Sequence, residues 1–244
     1  MIALSFDTDW MAPEDLERFL EEYPFPGTGT FFLHCAYALE KLRRHELCPH
    51  PFPVAPEHWK PSIAKMLQDF GLTPTGVRTH SAIHSHFLEL CLYELGFKYT
   101  SNTSRLFLDD TRPVRLAWGC WEMPIYYMDN LDLTMAKYWP SLDHKPLSRE
   151  VLLRALDGDS LYVFDFHPLH VCLNTPTLEY YLRHQAQLKA GTSPFELQYS
   201  GRGVGTFFKE FAELMTVRNL PSVSLLQALQ GWIGQAPVST SAAA

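Results

Sequence analysis

Several things this chain lacks narrow what it can be. No stretch of about 18 apolar residues occurs, so no membrane-spanning helix is predicted. No Lys/Arg cluster exceeds two adjacent residues and the formal charge is -7, which leaves nothing to follow a phosphate backbone and excludes nucleic acid as a partner. The first residues carry neither a charged leader nor a long apolar segment, and the expectation is a cytoplasmic protein. No C-x-x-C pair is present. The five cysteines, Cys35, Cys48, Cys91, Cys120 and Cys172, are odd in number and scattered, which predicts reduced thiols and neither a disulfide framework nor a structural zinc knot. No internal repeat and no long Pro/Gly/Ser linker divides the chain. One domain is therefore expected over 1-235, with the low-complexity APVSTSAAA at 236-244 as a flexible tail.

What is present is 46% hydrophobic and 14% aromatic, a globular composition rich in the flat side chains that line ligand sites. Strand-like and helix-like patterns alternate from end to end. The apolar run Ile2 to Phe6 reads as a buried strand. APEDLERFLEEY puts Leu16, Phe19 and Leu20 on one helical stripe, and GTGTFFLHC reads as a second strand. PSIAKMLQDFG has a proline start and a glycine stop, and SHFLELCLYELG ends at Gly96. SREVLLRALDG, the strand SLYVFDFH and two C-terminal helices around TLEYYLRHQAQL and GTFFKEFAELMTVRN complete the pattern. Such alternation predicts an α/β fold, a mostly parallel sheet covered by helices, either barrel or doubly wound.

In such folds ligands sit at the carboxyl ends of strands. Four places there carry titratable groups: Asp7 and Asp9 in SFDTDW, His50 in the proline-rich CPHPFPVAPEHW, Arg78 and His80 in GVRTH, and Asp165 and His167 in LYVFDFH. Asp7 and Asp9, two apart on a strand, share a face; an isolated pair of this kind also serves turns and helix caps. One carboxylate with two imidazoles suits a catalytic divalent metal with open positions, and zinc in particular. Asp7 and Asp9 divide naturally into a base and a ligand, with His167 as an acid on a separate strand. His34, His45, His144 and His184 read as surface or cap residues, and His84 and His86, two apart on a helix, face different directions.

SFDTDW, GTFF, HELCPHPF, GVRTHS and VFDFHP resemble, in order and spacing, the motifs of the polysaccharide deacetylase family, metal-dependent carbohydrate esterases, over roughly residues 1 to 175. The resemblance is strongest to a subgroup linked to surface-polysaccharide biosynthesis. It implies an irregular (β/α) barrel, TIM-like, with fewer than eight regular units. It also implies a hydrolase of carbon–nitrogen bonds other than peptide bonds, which removes an acetyl or other N-acyl group from a sugar or glycan precursor. Carried over residue by residue, Asp7 resembles the catalytic base, Arg78 the arginine that buttresses it, and His167 the general acid. Asp9 and His50 resemble metal ligands. Where the family usually has a second histidine four residues after His50, this chain has Val54; His80 is the candidate for the missing ligand and His84 the fallback. WEMPIYYMD resembles the motif that walls the sugar pocket, so Trp121 and Glu122, with Trp10 and Asp165, are expected near the substrate. Two rival readings are a non-catalytic member that binds a glycan or metal, suggested by Val54, and a glycosyltransferase using Asp7 and Asp9 as a metal clamp.

Overall fold

The computed structural model describes residues 1-38, 40-138 and 144-235. The tail expected at 236-244 lies outside them. The elements in order are β1 (Ile2–Asp7), α1 (Pro13–Glu22), β2 (Gly29–Leu33), β3 (Glu46–Pro49), α2 (Trp59–Phe70), β4 (Gly76–Val77), α3 (His86–Glu94), β5 (Tyr99–Thr100) and β6 (Val114–Arg115). There follow β7 (Trp121–Glu122), β8 (Tyr127–Met128), α4 (Asp129–Tyr138), α5 (Arg149–Asp157), β9 (Tyr162–Phe166), α6 (Pro168–Leu173), α7 (Leu178–Lys189), α8 (Val204–Val217) and α9 (Leu225–Gln235).

The strands form two arcs, β3-β2-β1-β9-β8 and β4-β5-β7-β6, parallel throughout except for the β6–β7 pair. Both seams between the arcs are bridged. At one, the run 121-128 pairs with β5 through Trp121 and Glu122 and with β9 through Tyr127 and Met128. At the other, His80 N donates to Pro51 O at 3.0 Å. The result is the irregular (β/α) barrel, with fewer than eight regular units.

Period-two alternation assigns the side chains. On β1, Leu4 and Phe6 face the helices, where Phe6 stacks on Phe31 at 4.6 Å and meets Phe208 of α8 at 5.9 Å. Ala3, Ser5 and Asp7 take the opposite face, into the barrel. On β9, Tyr162, Phe164 and Phe166 join the helix-facing core, while Val163 and Asp165 turn inward. Because a parallel strand is covered on both faces, these runs are apolar except near their carboxyl ends, where the inward positions turn polar. The interior is thus graded. Ala3, Phe32, Cys48, Tyr99 and Val163 pack with Leu225 and Leu229 of α9 at one end, and the charged groups collect at the other.

Side chains and one glycine cap the helix ends. Ser85, Ser148 and Thr177 accept backbone N–H bonds at the starts of α3, α5 and α7, and Gly71 closes α2 in the left-handed region at φ 64°. Three helices have no counterpart among the predicted elements. In α4 and α6 the backbone is helical immediately after strand ends, and α9 is a third C-terminal helix. Among the described residues no helix is long and apolar enough to cross a membrane.

Candidate active site

At the mouth of the barrel the four strand-end groups singled out in the sequence meet. Asp9 lies just past β1, His50 just past β3, and His80 after β4. Asp9 Oδ2 is 3.2 Å from His50 Nε2 and 3.1 Å from His80 Nδ1. His50 Nδ1 lies 2.9 Å from the Arg78 carbonyl, an acceptor only, so this nitrogen carries a proton and donates. Nε2 of the neutral ring then presents a lone pair to a carboxylate, an arrangement that needs a proton or a cation between the two. Without a cation the proton is favoured: burial works against charge on His50, but Asp7 and the bond to Asp9 outweigh it and raise its pKa. Burial likewise opposes ionisation of Asp9, and the bonds from His50 and His80 prevail, holding it well below the usual carboxylate range. Asp9 Oδ1 is buried with no partner among the described residues. A carboxylate with a spare oxygen, an imidazole with its tautomer fixed and a second imidazole, all donor atoms within 4.8 Å of one another, fit a divalent cation.

A second group adjoins the first. Arg78, fully buried over the ring of Phe32, spends its donors on Ser101 O and Oγ at 2.8 Å, Ser5 Oγ at 3.0 Å, Asp7 Oδ1 at 2.9 Å and Asp165. The guanidinium fixes the Asp7 carboxylate in place. His167 Nε2 sits 4.0 Å from Asp7 Oδ2, while its Nδ1 bonds Asp129 Oδ1 at 2.7 Å and its backbone N–H bonds Asp129 Oδ2 at 2.8 Å. Burial disfavours the imidazolium, yet the facing Asp129 overrides it and pushes the pKa up to about 10.

The predicted site residues do not all meet at one place. Asp7, Asp9, His50, Arg78, His80 and His167 line one cavity of about 360 Å³. His84 is not among them; its Nε2 pairs with the buried Glu89 at 2.9 Å. Val54 is exposed on the loop after His50. Trp10 stands at the rim, 55% exposed. The structure does not bring Trp121 and Glu122 to this cavity. Trp121 lines a separate groove with Tyr93, Leu226 and Ile233, because its place on β7 turns it towards α9. Glu122 is buried, accepts from Asn102 N at 2.9 Å and Thr103 N at 2.8 Å, and is pushed by burial up to about 7. Asp165 has no exposed surface to offer a sugar. It accepts from Ser5 Oγ at 2.7 Å and shares Arg78 with Asp7, and burial raises its pKa against the pull of that guanidinium.

The residue that does orient His167 is Asp129, missed in the sequence although it ends the run WEMPIYYMD and meets the strand-end criterion applied elsewhere. Three of the histidines predicted as surface or cap residues are also more enclosed: His144 pairs with the buried Asp132 and stacks on Phe107 at 4.7 Å. His45 is buried and accepts from Gly29 N at 3.2 Å, and half-buried His34 shares Nδ1 with Thr8 Oγ1 and Tyr37 Oη, both at 3.3 Å. Backbone strain gathers at this mouth: Trp10 at φ 60°, Ser81 at 62° and Ala82 at 51° flank Asp9 and His80.

A family model described as WbmS-like polysaccharide deacetylase matches residues 4-185, and the chain belongs to that family. Among solved structures it is similar to one from Bordetella bronchiseptica described as a polysaccharide deacetylase involved in O-antigen biosynthesis. Identity is 22%, coverage is 87% of this chain and 90% of that one, and the TM-score is 0.64. It also matches a family 4 carbohydrate esterase from Streptomyces lividans in complex with acetate, at 12% identity, with 91% and 90% of the chains covered and a TM-score of 0.46. A peptidoglycan deacetylase from Bacillus subtilis matches at 14% identity, with 94% and 90% covered and a TM-score of 0.47. At these identities the resemblance concerns the fold. Among curated proteins no match is found.

Proposed function

We propose that residues 1-235 form one catalytic domain that hydrolyses the N-acetyl group of an amino sugar in a glycan or glycan precursor, releasing acetate and the free amine. The observation that carries this reading is the meeting of a cation-binding trio, Asp9, His50 and His80, with a buttressed carboxylate and a carboxylate-paired imidazole around one cavity. A divalent cation held by the trio, zinc on the donor types, supplies Lewis acidity to the acyl carbonyl and to water.

The remaining chemistry belongs to the chain. Asp7, held by Arg78, accepts the proton of the attacking water. His167, protonated at neutral pH through Asp129, donates to the amine nitrogen as the carbon–nitrogen bond breaks. Ser5 and Asp165 hold Arg78 from behind, so the base does not rotate away. The O-antigen description of the Bordetella protein supports a surface-glycan precursor as the substrate. Five unpaired cysteines suit a reducing compartment, which supports a cytoplasmic location.

Acetate release from N-acetylated amino sugars tests the reading. Release is expected to stop on chelation, to return with zinc, and to fall by about 10²–10⁴ in Asp7→Asn. Activity that survives both chelation and Asp7→Asn contradicts it.

A further inference from the structure

The two imidazoles of the cation-binding trio are held in different ways. His50 has its second ring nitrogen bonded to the Arg78 carbonyl, whereas His80 bonds Asp9 through Nδ1 and its Nε2 has no hydrogen-bond partner among the described residues. The His80 side chain is 30% exposed. A histidine that ligates a metal ordinarily has its other nitrogen bonded, which fixes the plane of the ring. Something else has that task at His80.

The backbone around His80 is anchored on both sides. Thr79 N donates to Asn102 Oδ1 at 2.9 Å and His80 N to Pro51 O at 3.0 Å, while Thr79 Oγ1 donates to Ile83 O at 2.9 Å across the left-handed Ser81 and Ala82. Only the side-chain torsions remain to be set. Phe52 lies over the imidazole, with ring centroids 4.4 Å apart and planes 31° apart, and His50 meets it edge-on at 5.7 Å. Phe52 is 41% exposed and joins none of the core clusters, so core packing does not account for its place. Pro51 and Pro53 on either side stiffen the loop that carries it.

We infer that Phe52 is the positioning residue for His80: its ring holds the imidazole in the orientation that serves a cation shared with Asp9 and His50. The inference rests on the cation-binding part of the deacetylase reading, and not on which bond is hydrolysed. The loop after His50 gives no donor atom at the exposed Val54, and gives the ring of Phe52 to a histidine that follows β4 instead. An imidazole bound to a divalent cation carries positive charge, and the negative face of a phenyl ring attracts it, so the stack tightens on binding. A ring held beforehand also loses less conformational freedom when the cation arrives.

Calorimetric titration of the metal-free full chain with zinc, run as a double-mutant cycle, tests this. Phe52→Ala is expected to weaken binding about tenfold, and Phe52→Tyr to stay within about twofold of wild type. The Tm of metal-free Phe52→Ala is expected within about 2 °C of wild type, because the side chain is outside the core. In the His80→Ala background Phe52→Ala is expected to change the affinity by less than about twofold, since the residue it acts through is gone. A merely structural role weakens both backgrounds alike. Unchanged affinity in Phe52→Ala, the same loss in both backgrounds, or no recovery in Phe52→Tyr overturns the inference, and a wild type that takes up no zinc overturns it together with the trio. Acetate release is measured separately. The expected cycle without acetate release fails the deacetylase reading alone, and zinc-dependent acetate release with an additive cycle fails this inference alone.

Discussion

Asp129 decides what His167 can do. An imidazole buried on its own loses its proton at neutral pH; with Asp129 bonded to Nδ1 it keeps it, and the pKa reaches about 10. The folded value lies above the ordinary 6.5, so the stabilisation from this pair is complete below pH 6.5 and is lost as pH rises towards 10. The urea midpoint of the wild type is expected to fall between those limits, and that of Asp129→Asn to fall less. The same variant loses its acid nearer neutrality: acetate release at pH 8 is expected to drop about 10²-fold or more, with the alkaline limb of the pH–rate profile displaced downward. Unchanged profiles in both measurements remove Asp129 from the account. Most of these residues were legible in the sequence because a titratable group at the end of an apolar run needs a reason to be there. Trp121 and Glu122 were misplaced for a physical cause. The run 121-128 crosses from one arc to the other, so alternation along it does not keep one face towards one cavity.

At the scale of elements, β1, β2 and β9 were readable as continuous apolar runs, as strands covered on both faces should be. The two-residue strands β4 to β8 are too short to show any period, and their ranges emerge only from pairing. In α6 all six residues are buried, so no polar stripe marks it as a helix. α9 was overlooked because its hold on the molecule is tertiary. Leu225 N donates to Thr30 Oγ1 at 2.8 Å and Leu226 N to Glu46 Oε2 at 3.0 Å, so side chains of β2 and β3 cap a helix some 180 residues away in sequence. β3 therefore serves both ends of the barrel, closing one with Glu46 and leading to His50 at the other. Glu46→Ala is expected to lower stability by about 1–2 kcal/mol, through the lost cap and the lost bond from Tyr99 Oη to Glu46 Oε1 at 3.0 Å, while leaving zinc affinity within about twofold. Chemical denaturation and a zinc titration of the same preparation check the two halves. A large loss of zinc affinity shows that the ends are not independent.

Across the whole molecule, an apolar end sealed by α9 and a charged end left open give the barrel its polarity. The family match ends at 185, whereas α8 and α9 lie beyond it, and α8 supplies Phe207, Phe208 and Phe211 to the main core. Those helices were the least informative part of the sequence and are integral to the packing. At the open end, the carboxylates of Asp7, Asp9, Asp129 and Asp165 face one guanidinium and three imidazoles, a balance that a bound cation improves. Anomalous diffraction at the zinc edge from a zinc-soaked crystal tests this centre most directly. A single strong peak is expected within coordinating distance of Asp9, His50 Nε2 and His80 Nδ1, with Asp7 left bonded to Arg78. A peak at His84 and Glu89, or none at the barrel mouth under saturating zinc, contradicts it.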